Sequence, residues 1–73
     1  MAKFNGHKNW NHWNVSLWIN NDEGLYRLAM YCVDQTDTKD NAARCFLRHV
    51  GADKTPDGAP YSISSVRAAM RGM

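Results

Sequence analysis

All three tryptophans of this 73-residue chain fall inside one stretch, WNHWNVSLWINND from Trp10 to Asp22, together with four asparagines and a histidine. Tryptophan carries the largest apolar area of any side chain and an N–H that needs a partner when buried. A chain that gathers every such residue into about three to four helical turns is building its core there, its binding face there, or both. So short a chain has few other large anchors, so the core use is expected to lead.

The length allows one domain, residues 1–73, with residues 1–9 as a polar N-terminal arm. A domain of this size buries about 60 % of its unfolded surface, which predicts a stability of about 3–5 kcal/mol and leaves no room for a deep catalytic cavity. The net charge of +2 and pI near 8.7 are mildly basic, below the Lys/Arg density that alone marks nucleic-acid binding. Cys32 and Cys45 each sit in an apolar, helix-like context and are expected to be reduced structural thiols of a reducing cytoplasm. No apolar leader and no run near the ~20 residues of a membrane span is present. The expectation is a soluble protein.

Apolar spacing then predicts an all-α fold, a compact bundle of about four short helices with an ordered Pro/Gly loop before the last. In the first, Trp10, Trp13 and Leu17 share a face at i, i+3 and i+7, with Val15, Trp18 and Ile19 on an adjacent stripe. The Asn20-Asn21-Asp22 run breaks it. Asn21 or Asp22 caps a second helix to about Asp34, with Leu25, Leu28, Ala29 and Cys32 inward. Asp37 or Thr38 caps a third that carries Ala43, Phe46, Leu47 and Val50 and stops at Gly51. Thr55-Pro56-Asp57-Gly58 reads as a turn, because proline presets φ and glycine tolerates positive φ. Ser62 or Ser64 caps the last helix, with Ile63, Val66, Ala69 and Met70 inward and Gly72 at its end. Trp13, Leu17, Leu25, Leu28, Phe46, Leu47, Val50 and Val66 are expected to share one core.

Enzyme chemistry finds little support in these residues. The candidate metal ligands are His7, His12, His49, Cys32 and Cys45. The two cysteines are far apart and the closest histidines are separated by four residues that include Trp10, which gives structural zinc little support. Ser16 and His12 stand at i and i+4, but no third member or oxyanion pattern accompanies them. No glycine-rich phosphate loop is present. The expectation is a protein with no catalytic residues, no cofactor, no metal and no small-molecule substrate.

The basic residues carry more. Arg44 with Arg48 and Arg67 with Arg71 are i, i+4 pairs whose planar forks suit carboxylates or phosphates. Nucleic-acid binding would need those pairs to converge on one surface. A helix-turn-helix would need a three- or four-residue turn between the last two helices, and the connector from Gly51 to about Tyr61 is too long. A protein interface is favoured by the mixture near the N-terminus, because interface centres concentrate Trp, Phe and Arg. Lys3, Phe4, His7, Lys8 and Trp10, helped by Arg67, are the expected partner-binding residues. The asparagines either bond to that partner or bond locally to loop backbone.

The string from Asn9 to Tyr26, NWNHWNVSLWINNDEGLY, resembles a motif that recurs in small proteins of tailed bacteriophages. A T-P-D-G turn, here Thr55 to Gly58, recurs with it. Length and make-up are also similar to the small transcription regulators of Xanthomonas lytic phages. That resemblance implies a protein that binds host RNA polymerase at its β′ and β subunits in the host bacterial cytoplasm. It would inhibit promoter initiation by obstructing σ-factor engagement and act as an antiterminator. The rival readings are a phage inhibitor of another host system, anti-restriction or anti-CRISPR, and a small nucleic-acid-binding protein. DNA mimics are strongly acidic, and this chain is not.

Overall fold

Asn9 opens the first helix. Its side-chain oxygen accepts the His12 backbone N–H at 3.0 Å, which satisfies one of the donors every helix start leaves unpaired. In the computed structural model, which describes residue 7 and residues 9–73, helix α1 then runs Trp10–Asn21. A single residue, Asp22, separates it from α2 (Glu23–Gln35). Asp22 closes one helix with its backbone N–H on the Trp18 carbonyl (2.9 Å) and starts the next with a side-chain oxygen on the Leu25 N–H (3.0 Å).

Thr36 ends α2 with its hydroxyl on the Cys32 carbonyl (2.8 Å), and Thr38 caps α3 (Lys39–His49) through the Asn41 N–H (3.1 Å). Gly51, at φ +74°, takes the left-handed turn after α3 that a side chain would resist. Ser62, not Ser64, caps α4 (Ile63–Ala69), in a reciprocal capping box with Ser65. The helix ends before the expected Gly72, because from Met70 on the backbone tightens into turns with bonds to carbonyls three residues back. Among the described residues the architecture is therefore the all-α bundle of four short helices. Each helix packs on its neighbours in the chain, and α4 closes the ring against α1. The centre is filled by Val15, Ile19, Phe46, Val66 and Met70, all fully buried. Leu25, Leu28, Leu47 and Val50 pack around them half-buried.

One expected face is wrong. Leu17 is 40 % exposed and Trp13 is only half-buried outside the core cluster, so the stripe Trp10–Trp13–Leu17 points away from the core. Val15 and Ile19, on the adjacent stripe, point in. The apolar residues of α1 are spread almost evenly around its axis, so its periodicity gave no reason to prefer one stripe. α4 and the loop after α3 decide between them.

That loop is fixed by a polar network. The Thr55 hydroxyl donates to the Asn14 Oδ1 at 2.6 Å, and the Asn14 amide donates to Asp57 Oδ2 at 2.9 Å. Trp18 Nε1 donates to the same carboxylate oxygen at 3.0 Å. Within the loop, Gly58 N–H bonds to the Thr55 carbonyl (2.9 Å) and Thr55 N–H to the Ala59 carbonyl (2.8 Å), with Gly58 at φ +97°. Lys54 and Pro60 form an isolated bridge at its base. The two N–H donors, first Asn14 and then Trp18, hold the Asp57 carboxyl below the usual carboxylate range.

Two outcomes follow for stability. Phe46→Ala empties the centre of the core and should cost about 3–5 kcal/mol, whereas Leu17→Ala should stay within about 0.5 kcal/mol; urea unfolding of both variants checks the corrected face. Because the Asp57 pKa is depressed in the folded state, its contribution is present above the ordinary carboxyl pKa and is lost as pH falls through the folded value. The melting temperature should therefore drop on acidification below about pH 4. Asp57→Ala should lower it at neutral pH and flatten part of that acid dependence; an unchanged acid profile would remove Asp57 from the network's role.

Candidate functional site

Three basic side chains, from α3, from α4 (Ile63–Ala69) and from the turn just after α4, line one surface. Lys39 is the first residue of α3, Arg67 lies in α4, and Arg71 follows one turn later. Together with His12 and Ser64 they line an open groove of about 540 Å³, floored by Ala68 and Gly72. No lining residue is acidic. Asp40 reaches in from the rim to pair with Arg67 at 2.6 Å, both side chains about half exposed (51 % and 56 %). A solvent-exposed pair of this kind is worth little to stability, so Arg67 is available to exchange Asp40 for another oxyanion at small cost. Arg44 and Arg48 line a separate depression, with Gln35, Thr36 and Asp37. The two arginine pairs thus do not share a groove.

His12 and Ser64 touch across α1 and α4, Nε2 to Oγ at 2.9 Å. The sequence pairs His12 with Ser16 instead; Ser16 Oγ accepts from the Asn20 amide at 3.2 Å, and the Ser16 carbonyl accepts from the same amide at 2.9 Å. The His12–Ser64 contact sits in an exposed groove with no shielding from water, and serves to clamp the two helices at the groove wall. Among the described residues no three His, Cys, Asp or Glu side chains gather as a metal ion would need.

The expected partner-binding residues are divided by the fold. Lys3, Phe4 and Lys8 lie outside the described residues. His7 is half-buried in a smaller depression of about 210 Å³, against Trp13, Ser16, Leu17, Asn20 and Asn21. Its Nδ1 is buried without a hydrogen-bond partner among the described residues. Trp10 begins α1 and is 39 % exposed. Arg67 belongs to the basic groove, reached from α1 through His12 rather than Trp13, about 100° further round the helix. The residues therefore fall on two separate surfaces, an aromatic face of α1 and the basic groove.

The sequence points to His12 only as a candidate metal ligand or a neighbour of Ser16, and to Lys39 and Ser64 as part of no site. The i, i+4 spacing of Arg67 and Arg71 signalled half of the groove; nothing local signals that Lys39 joins them, because α3 and α4 meet only in the folded bundle. Four of the asparagines also resolve. Asn9 is a cap, Asn14 holds side chains of the loop rather than its backbone, and Asn20 and Asn21 bond to carbonyls four residues back (2.9 and 2.8 Å). No helix among the described residues is long and apolar enough to cross a membrane.

No curated protein and no solved structure matches this chain. A family model does match, along residues 1–73: the chain belongs to DUF7249, a family of unknown function.

Proposed function

We propose that this DUF7249 protein acts by binding rather than by turnover, as a phage-type accessory protein that docks on host bacterial RNA polymerase in the host cytoplasm. The basic groove of Lys39, Arg67 and Arg71 carries this reading. It is a concentrated cationic surface with no acidic lining, and a different flank of α1 carries side chains that the core leaves in water, Trp10 and Leu17. Cationic grooves steer a protein to acidic partner surfaces, and half-exposed tryptophan supplies the apolar anchor that interface centres favour. The resemblance of Asn9–Tyr26 to phage proteins supplies the polymerase as partner, with obstruction of σ-factor engagement as the effect and antitermination as the accompanying activity.

Division of labour follows from the two surfaces. Trp10 and His7 desolvate on contact, so their loss raises the dissociation rate. Lys3, Lys8, Arg67 and Arg71 act at longer range and set the association rate and its salt dependence.

Surface-immobilised core polymerase titrated with this protein tests the reading. Trp10→Ala or His7→Ala should weaken binding at least tenfold, about 1.4 kcal/mol, with the fold kept. Arg67→Ala should slow association by a smaller factor, most visibly at low salt, and change stability by no more than about 1 kcal/mol. If instead polymerase free of DNA fails to bind while a short duplex binds the protein alone, with affinity falling steeply as salt rises, the groove contacts phosphate and the polymerase reading is wrong.

A further inference from the structure

The groove beside α4 concentrates positive charge that the fold does not neutralise. Lys39 is half-buried at its wall, while Arg67 and Arg71 are exposed along it. Among the described residues neither Lys39 nor Arg71 has an ion pair. Lys39 is also the first residue of α3, whose amino end is itself partly positive, so its ammonium works against the helix it opens. That placement lowers stability, a compromise that binding surfaces make and scaffolds avoid. Among the described residues, the oxyanion that pairs with this cluster is a carboxylate. Asp40 holds Arg67 at 2.6 Å, with both side chains still about half exposed.

Resting on the reading of this groove as a docking surface, we propose that it receives a partner segment rich in Asp or Glu, and that Asp40 is the internal competitor of that segment. On docking, a partner carboxylate takes the place of Asp40 on the Arg67 guanidinium, and neighbouring carboxylates reach Lys39 and Arg71. At Arg67 one carboxylate bond is exchanged for another, so that step is close to neutral. The gain comes from the two cations that lacked an ion pair. A lone carboxylate therefore only swaps with Asp40, whereas a segment carrying several is bound, and Asp40 makes the groove answer to clusters of acidic side chains. The small side chains of Ala68 and the absent one of Gly72 at the floor leave room for a main chain above them. The layout of charge favours carboxylates over a nucleic-acid backbone. Arg44 and Arg48 lie in a separate depression, so the cations form one short cluster and no track for a strand of phosphates to follow. The net charge of +2 is likewise small for a surface that neutralises many phosphates.

A fluorescein-labelled oligoglutamate titrated with the full-length protein at low salt, followed by anisotropy, tests this. Asp40→Asn removes the competitor and should tighten binding about two- to fivefold, the range that an exposed ion pair sets. Glu23→Gln makes the same change in net charge by releasing Arg27 on α2, and should leave the affinity unchanged. On an Arg67→Ala background Asp40→Asn should lose its effect, because the competition acts through that guanidinium. Lys39→Gln should weaken binding while melting no lower than the parent protein. Oligoglutamate that fails to bind, or an Asp40→Asn protein that binds it no better than the Glu23→Gln protein, would overturn the proposal. So would a short DNA duplex that binds more tightly than oligoglutamate of equal charge and gains from Asp40→Asn. Core polymerase titrated in parallel separates the two claims. If oligoglutamate behaves as expected and polymerase does not bind, the polymerase reading falls and the acidic-segment site stands; if polymerase binds and oligoglutamate does not, the reverse holds.

Discussion

A buried amide with no partner costs as much as a lost methyl-rich core contact, so Asn14, almost wholly enclosed, must find partners for both ends of its side chain. It finds them forty residues away, in the loop between α3 and α4. The Thr55 hydroxyl meets its oxygen and the Asp57 carboxylate meets its nitrogen, while Trp18, one helical turn further, donates to the same carboxylate. A loop tied at one end to α3 and at the other to α4 is thereby pinned along α1. The pinning places the Ser62 cap, and the cap sets where α4 begins its run against α1, the most extensive helix contact of the bundle. Remove the network and α4 loses the anchor that aims it.

The same constraint explains what reaches the surface. With the loop on one flank of α1 and α4 on another, the remaining flank carries Trp10 and Leu17 into water. The tryptophan-rich segment is thus divided by its surroundings. Trp18 becomes part of the scaffold through its N–H, while Trp10 remains largely exposed. The basic groove is a product of the same closure, since α4 brings Arg67 and Arg71 beside Lys39 only when it packs across both α1 and α3. Scaffold and candidate site share residues of one motif, and for that reason a motif of this kind says more about how the chain folds than about which of its residues meet a partner.

At the α2–α3 seam the two helices are joined by three residues and held by strongly one-sided apolar faces. There the sequence pattern and the packing agree, and Ala29, Cys32, Ala43 and Phe46 lie where their spacing puts them.

The sequence by itself determined the four helices and, to within a residue or two, where each begins. Asn9, Asp22, Thr38 and Ser62 are caps because short polar side chains satisfy backbone donors within three residues, and Gly51 follows the end of α3 because it accepts positive φ. These are local interactions, readable from neighbours. The inward faces of α2 and α3 were equally legible, since their apolar residues recur on one stripe. The inward face of α1, the partners of Asn14, and the meeting of Lys39 with Arg67 and Arg71 were decided only by the tertiary structure. α1 is apolar on nearly every side, so its own periodicity carries no preference. The choice belongs to α4 and the Thr55–Asp57 turn, and interactions spanning some forty residues leave no local signature in the chain.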